Sequence, residues 1–345
     1  MSSAAKFSEV FGELTSPGGI TPETVRRVFD AILRGEWTPV QVSGLIVALR
    51  LRGESAETIA AAAEAMRDAM VAVEHDLPCV IDTCGTGGDG LGTLNLSTGA
   101  AIIVAACGVP VAKHGNRAVS SRAGSADVLE ALGIPLDLPA SRASDVLREV
   151  NIAFLMAPVH HPAMKHAVQA RRELGIRTLF NCLGPLANPA RATHQLLGAY
   201  DDTLRDVLAR TLRALGTQRA WVVRGADGLD EISPAGPTRV TELDGASITE
   251  LVVAPEDFGI RPLPHSAISG GDAVFNAAAL RTVLAGDDHP ATDAFVLNAA
   301  AALVVAKRMA PKQAADSARE ALASGQARRL LERWLGATQS AKSSA

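Results

Sequence analysis

The chain has 345 residues and a formal net charge of −4 at neutral pH, which excludes a general polyanion binder, since that needs an overall basic face. Hydrophobic residues make up 48% of it but aromatic ones only 3%, with Tyr200 the single tyrosine. A large core of Ala, Leu and Val follows, with few stacking platforms for nucleic-acid bases.

Four cysteines, Cys79, Cys84, Cys107 and Cys182, form no Cys-x-x-Cys pair, so neither a zinc site nor a disulfide framework is implied. Residues 1–6 lack an apolar signal core, and no apolar run reaches transmembrane length. A cytoplasmic protein without a membrane partner is expected.

Residues 6–75 read as a helical unit. Thr21-Pro22 and Thr38-Pro39 each set a capping residue before a first-turn proline, and Thr38-x-x-Gln41 fits a capping box. Val42, Leu45, Ile46 and Leu49 recur at helical spacing, as do Ile59, Ala62, Ala63 and Met66. No catalytic constellation falls here, and packing or subunit contact is the expected role.

The α/β part opens at Pro78. Cys79-Val80-Ile81 reads as a buried strand running into Asp82-Thr83-Cys84-Gly85-Thr86-Gly87-Gly88-Asp89. Gly85, Gly87, Gly88, Gly90 and Gly92 allow sharp turns and close approach of backbone to a ligand. Asn95, Ser97 and Thr98 stand where the next helix begins, a place that favours anions. Residues 110–112 read as a second strand that delivers Lys113 and His114 at its C-terminal end, where parallel sheets bind ligands. Between Asp89 and Asp127 there is no acidic residue, while Lys113, Arg117 and Arg122 lie in the gap. That pattern suits a highly phosphorylated small molecule. Gly85-x-Gly87-x-x-Gly90 also matches the dinucleotide-binding pattern, but no acidic residue lies about 20 positions further on for a ribose hydroxyl. A P-loop is excluded, because no Gly-Lys-Ser/Thr follows the glycines.

Further on, residues 127–132 read as a short helix closed by Gly133, 141–150 as another helix, and 152–156 as a buried strand. His160, His161 and His166 lack the spacing of a metal site. A helix over 163–174 carries Arg171 and Arg172, which read either as a solvated face or as a fork for a substrate carboxylate. Residues 178–189, with Gly184-Pro185 and Asn188-Pro189, read as a loop or crossover. A helix capped by Thr203 and stopped by Gly216 comes next, then a strand around Trp221-Val222-Val223. Asp227, Asp230 and Glu231 at that strand's end suit either a hard cation such as Mg²⁺ or a solvated turn. Residues 238–243 and 248–253 form an expected hairpin. Residues 271–284, 291–309 and 312–335 read as helices, and 338–345 as a disordered tail.

Gly85-Thr86-Gly87-Gly88-Asp89, Asn95-Leu96-Ser97-Thr98, Lys113-His114-Gly115-Asn116-Arg117 and the run from Gly124-Ser125-Ala126-Asp127 to Gly133 occur in the order found in the anthranilate phosphoribosyltransferase family, which the chain closely resembles. Arg171-Arg172-Glu173-Leu174-Gly175, the run 181–189 and Asp230-Glu231 extend the resemblance over nearly the whole chain. It departs at Met156-Ala157, where many members carry an aromatic residue, and at Ser121-Arg122-Ala123, where a lysine-containing run is common.

The resemblance implies an α/β fold that pairs a small all-helical domain with a larger α/β domain, built on a central, mainly parallel sheet flanked by helices. Residues 1–76 would form the helical domain, with a second contribution from 159–188; 77–158 and 189–337 would form the α/β domain. The implied reaction moves the phosphoribosyl group of 5-phosphoribosyl 1-diphosphate to the amine of anthranilate. Gly85, Gly88, Asp89, Thr93, Asn95, Leu96, Ser97, Thr98, Lys113 and Ser125 would bind the donor. Gly85, His114, Asn116 and Arg171 would meet anthranilate, and Ser97, Asp230 and Glu231 would hold two Mg²⁺ ions. No protein nucleophile or base is implied; Lys113 and metal would stabilise the transition state. Members of the family are usually homodimers. Two other readings stay open: a pyrimidine nucleoside phosphorylase-like enzyme, and a non-catalytic paralogue that binds nucleic acid.

Overall fold

The structure, a computed structural model, describes residues 6–118 and 121–339. Four helices come first: α1 (Phe7–Thr15), α2 (Pro22–Leu33), α3 (Pro39–Arg52) and α4 (Ala56–Asp68). Local chemistry fixes the starts of the last three. Thr21 Oγ1 accepts from Thr24 N, Ser55 Oγ accepts from Thr58 N, and Thr38 and Gln41 form the full capping box ahead of Pro39. Each helix buries an apolar stripe, including Val28, Phe29 and Ile32 of α2, Val42, Leu45, Ile46 and Leu49 of α3, and Ile59 and Met66 of α4.

The rest is a sheet wrapped in helices. In chain order come β1 (Ile81–Gly85), α5 (Leu96–Ala106), β2 (Val111–Gly115), α6 (Ser125–Leu132), α7 (Ala140–Val150), β3 (Ile152–Met156), α8 (Ala157–His160), α9 (Lys165–Leu174) and α10 (Phe180–Leu186). Then follow β4 (His194–Gly198), α11 (Leu204–Ala214), β5 (Arg219–Gly225), β6 (Thr238–Asp244), β7 (Ser247–Val253), α12 (Ala273–Ala285), α13 (Thr292–Lys307), α14 (Pro311–Ala323) and α15 (Gln326–Gln339). The sheet order is β3-β2-β1-β4-β5-β6-β7; β1 to β5 run parallel, and β6 and β7 pair antiparallel. The chain builds outward from β1 to β3, then returns to place β4 on the other side of β1. The crevice outside the C-terminal ends of β1 and β4 is therefore the topological switch point, where open parallel sheets take their ligands.

Two hydrophobic cores sandwich the sheet. On one face α5, α6, α7 and α12 to α15 pack against residues such as Ile81, Val111 and Trp221. On the other, α1 to α4 together with α9, α10 and α11 pack against Leu197, Ala220 and Val222. Where the chain passes between the helical unit and the sheet, its segments are tied together. Val71 N donates to His160 O at 2.8 Å, and Val73 N donates to Pro189 O at 2.9 Å. Among the described residues no single helix is long and apolar enough to cross a membrane.

Four expectations need correction. Residues 178–189 are not simply a loop, because they contain α10. Glu54 Oε1 accepts from Leu179 N at 2.7 Å and Asn181 Oδ1 accepts from Thr178 N, so the helix start is held, while Phe180, Leu183 and Leu186 are buried. Residues 312–335 are two helices, broken at Ser324-Gly325 where Gly325 takes φ +74°. The expected tail does not begin at 338: Thr338 is buried in α15 and its hydroxyl donates to Trp334 O, while residues 340–345 lie outside the described residues. Thr203 does precede α11, but its side chain makes no cap; Asp201 Oδ1 accepts from both Thr203 N and Oγ1 instead.

Candidate active site

Four parallel strands end in glycine: β1 at Gly85, β2 at Gly115, β4 at Gly198 and β5 at Gly225. None of these four has a positive φ. Their requirement is space. Gly85 and Gly198 are register partners, and a Cβ on either would run into Asp230, on its carboxylate or its backbone carbonyl respectively. A Cβ at Gly115 would meet Ser125 Oγ and the Phe154 ring. Bare strand ends thus let the 227–231 turn lie over the sheet beside the glycine loop. Within that loop Gly87, Gly88, Gly90 and Gly92 do take positive φ, from +63° to +84°.

Lys113 on β2 is buried. Its Nζ donates to Thr83 O at 2.5 Å and lies 3.4 Å from Ser97 Oγ at the start of α5. An ammonium at a helix N-terminus opposes the helix dipole, so the position demands negative charge. Burial pushes the lysine down from its usual range, and the Asp82 carboxylate opposes that shift. Asp82 is fully buried; it accepts from His114 N at 3.2 Å and Asn188 Nδ2 at 2.8 Å, and burial lifts its carboxyl to about 6.

Across from Lys113 stand the acidic residues. Glu231 Oε1 accepts from Ser97 N at 3.1 Å, and Asp230 Oδ2 accepts from Gly87 N at 3.0 Å. Burial first, then the neighbouring Asp230 charge, raises Glu231 to about 8. Asp230 is raised by burial and by Asp89 beside it. A pair of crowded carboxylates next to a hydroxyl is short of positive charge, which fits a hard cation. Among the described residues no three His, Cys, Asp or Glu side chains form a metal cage. A cation held here would take its remaining oxygens from water and substrate. Asp227 does not join the pair; its carboxylate accepts from the Ser233 hydroxyl and from Leu229 N.

His114 points from the end of β2 toward α10. Its Nδ1 is 2.9 Å from Gly184 O, its Nε2 is buried with no partner, and its ring lies 5.0 Å from that of His161. Burial, with the His161 ring adding to it, pushes His114 down to about 3, so the imidazole is neutral near pH 7. Arg171 lies at the end of α9 with its guanidinium 5.4 Å from the centre of the Phe180 ring. It is half-buried, burial depresses its pKa, and no carboxylate among the described residues pairs with it. Arg172 is exposed.

The remaining site residues fall as follows. Gly88 and Asp89 lie in the glycine loop, and Thr93 bridges to Ser269. Asn95 precedes α5, but its amide is already engaged with Ala123 O at 3.1 Å and Asn276 at 2.8 Å. Leu96 is buried, so only its main chain is available to a ligand. Thr98 Oγ1 is buried without a partner. Ser125 Oγ lies 3.4 Å from Asn116 O, and the Asn116 side chain is exposed. Arg117 is held away by Asp127 and Glu130. The sequence reading missed Asn188, whose amide binds Asp82 and Ala112 O, and Arg177, whose Nη2 donates to Gly88 O. The Asn-Pro pair marked a turn, but nothing local distinguished Arg177 from the other arginines.

A fold of helical bundle and parallel sheet, with a phosphate-type loop at the switch point, defines a class. The chain matches the glycosyl transferase family helical bundle domain over residues 9–70 and the family's a/b domain over residues 77–328. It is 44% identical over 335 residues to the anthranilate phosphoribosyltransferase of Paramagnetospirillum magneticum, covering 97% of this chain and 96% of that one. The crystal structure of anthranilate phosphoribosyltransferase from Thermus thermophilus superposes with a TM-score of 0.90 at 43% identity, covering 97% of this chain and 99% of that one. The Saccharomyces cerevisiae enzyme in complex with PRPP and Mg also superposes at 0.90, with 29% identity and 98% and 99% coverage. This chain belongs to the anthranilate phosphoribosyltransferase family. These relatives lend no support to the nucleoside phosphorylase-like or nucleic-acid-binding readings.

Proposed function

We infer that the chain transfers the phosphoribosyl group of 5-phosphoribosyl 1-diphosphate to the amine of anthranilate, giving N-(5-phosphoribosyl)anthranilate and diphosphate. The observation that carries this reading is buried Lys113 at the start of α5, facing Glu231 and Asp230 across Ser97. That juxtaposition calls for a ligand with phosphates and a metal.

The donor lies over the bare strand ends. Gly85, Gly88, Asp89, Thr93, Leu96, Ser97, Thr98, Lys113 and Ser125 line its place, and Asn95, already bonded to Ala123 and Asn276, shapes the loop. Ser97, Asp230 and Glu231 hold Mg²⁺, two ions in all. Bound magnesium supplies positive charge to the diphosphate leaving group. Lys113 adds charge from a rigid, dry position, which favours a transition state with growing negative charge on that group. Gly85, His114, Asn116 and Arg171 receive anthranilate. Arg171 takes its carboxylate, and neutral His114 adds no charge beside the amine. That amine is itself neutral near pH 7, so orientation and electrostatics carry the reaction and no protein nucleophile or base is required.

The helical domain comprises α1 to α4 with α8 to α10, and the protein is a homodimer paired through it. Val40 and Leu51 on α3 are more than 80% exposed, and Phe11 on α1 is also exposed, an apolar surface suited to a second copy. The enzyme serves tryptophan biosynthesis in the cytoplasm. The test is anthranilate fluorescence followed with donor and Mg²⁺. Donor-dependent loss of signal that EDTA abolishes is expected. Folded protein that binds donor without consuming anthranilate would refute the acceptor.

A further inference from the structure

The glycine loop is held from several sides. Thr86 N donates to Gly198 O at 2.8 Å, Thr86 Oγ1 accepts from Tyr200 N at 2.9 Å, and Gly87 N donates to Asp230 at 3.0 Å. These partners all belong to the sheet and its connections. The one tie from the helical side among the described residues is Arg177, in the connection between α9 and α10. Its guanidinium lies 4.2 Å from the centre of the Tyr200 ring and its Nη2 donates to Gly88 O. Gly88 takes φ +84°, and a Cβ there would collide with that guanidinium. The base of Arg177 is equally well held: the next two residues are fixed by Asn181 and by Glu54, which is buried at the start of α4.

We propose that Arg177 is a positioning residue for the donor, setting the shape of the Gly85–Asp89 turn by gripping the Gly88 carbonyl from the helical unit. A trans peptide directs its carbonyl and its N–H to opposite sides. Fixing the Gly88 carbonyl toward α10 therefore turns the Asp89 N–H away from the helical unit and fixes the backbone leading into Asp89. Stacking on Tyr200 keeps the guanidinium in one plane, which lysine does not reproduce. Movement of the helical unit relative to the sheet is thereby transmitted to the donor loop.

This rests on the donor reading of the glycine loop, so donor affinity of the parent enzyme is measured first by calorimetry; absence of binding there sinks that reading itself. With binding established, Arg177→Ala is expected to weaken donor binding and raise the donor KM by about 10- to 100-fold, the size of one charge-assisted hydrogen bond. The anthranilate KM and the melting temperature should be unchanged. Arg177→Lys should recover part of the loss, and Tyr200→Leu, which removes the stacking platform, should show the same donor-selective defect. The loss should be equal at about 50 mM and about 500 mM KCl, because a carbonyl is gripped and not a phosphate. Unchanged donor affinity in Arg177→Ala, equal rises in both KM values, or a loss that shrinks with salt would overturn the proposal.

Discussion

Replacing Arg171 by alanine should separate the proposed recognition of the acceptor from stability. In the free protein the Arg171 guanidinium is half-buried, has no carboxylate partner among the described residues, and rests on Phe180 at 5.4 Å. On the proposed reading a carboxylate arriving there would gain a charge-assisted, two-pronged contact in a partly desolvated site. Losing one such partner costs about 2–4 kcal/mol, so kcat/KM for anthranilate should fall by about 30- to 1000-fold. The folded state loses a cation–π contact of about 0.5–1 kcal/mol but is relieved of a partly desolvated charge without a partner, so the two effects oppose. The melting temperature of Arg171→Ala should therefore stay within a few degrees of the parent, and donor affinity should not change. Aniline, which lacks the carboxylate, supplies the decisive comparison in an assay of diphosphate release. Parent and variant should use it equally poorly. If Arg171→Ala retained anthranilate kcat/KM within about threefold, or lost aniline turnover in proportion, the carboxylate assignment would be wrong.

Gly198→Ala should displace the Asp230 backbone, raising the Mg²⁺ concentration needed for half-maximal rate and lowering the melting temperature. Gly108→Ala, at φ +81° with nothing near its added Cβ, should cost only about 1 kcal/mol of stability and leave kinetics alone. His114 and His161 are held neutral by burial, at about 3 and about 4. Because these folded pKa values lie below the ordinary value of 6.5, their contribution is complete above that value and is lost as pH falls toward the folded ones. Urea unfolding should show it as up to about 2.7 kcal/mol per pH unit for the two rings, and His161→Gln should flatten the slope relative to the parent. An unchanged slope would show that His161 already titrates normally. Val40→Glu with Leu51→Glu should halve the mass seen by light scattering; an unaltered mass would place the subunit interface elsewhere.

Much of this architecture is written locally. The starts of α2, α3 and α4 are set by side chains three residues from the groups they cap, and β1, β2, β4 and β5 each end in glycine. α10 was hidden for the opposite reason. Gly184 and Pro185 signal a break, and the group that holds its start, Glu54, lies 125 residues earlier in the chain. The division of α14 from α15 rests on one glycine that could equally sit inside a helix. At the site, Asp230 and Glu231 were separable from Asp227 only by resemblance, since a tight run of carboxylates reads the same in a solvated turn. In the fold, Gly85 and Gly198 make room for Asp230 while Ser233 occupies Asp227. Arg177 has no local mark at all, since its partners Gly88 and Tyr200 meet it only through the fold.

The four glycine strand ends bear on how the protein responds to its ligand. Each gives up about 0.5–1 kcal/mol relative to alanine in a strand and leaves the space into which a neighbouring segment packs. The crevice end of the sheet is thus finished by its own neighbouring segments, with Asp230 over Gly85 and Gly198, Ser125 over Gly115 and Asp227 over Gly225. Amide hydrogen exchange at Gly85, Gly115 and Gly198 should slow sharply with donor bound, while the opposite end of the same strands changes little. The same feature narrows the paths open to natural variation. A floor of glycine can only become more crowded, so on the proposed placement of the substrates a change of acceptor would come from the rim, through α9 and α10, where side chains can be exchanged without altering the strand ends.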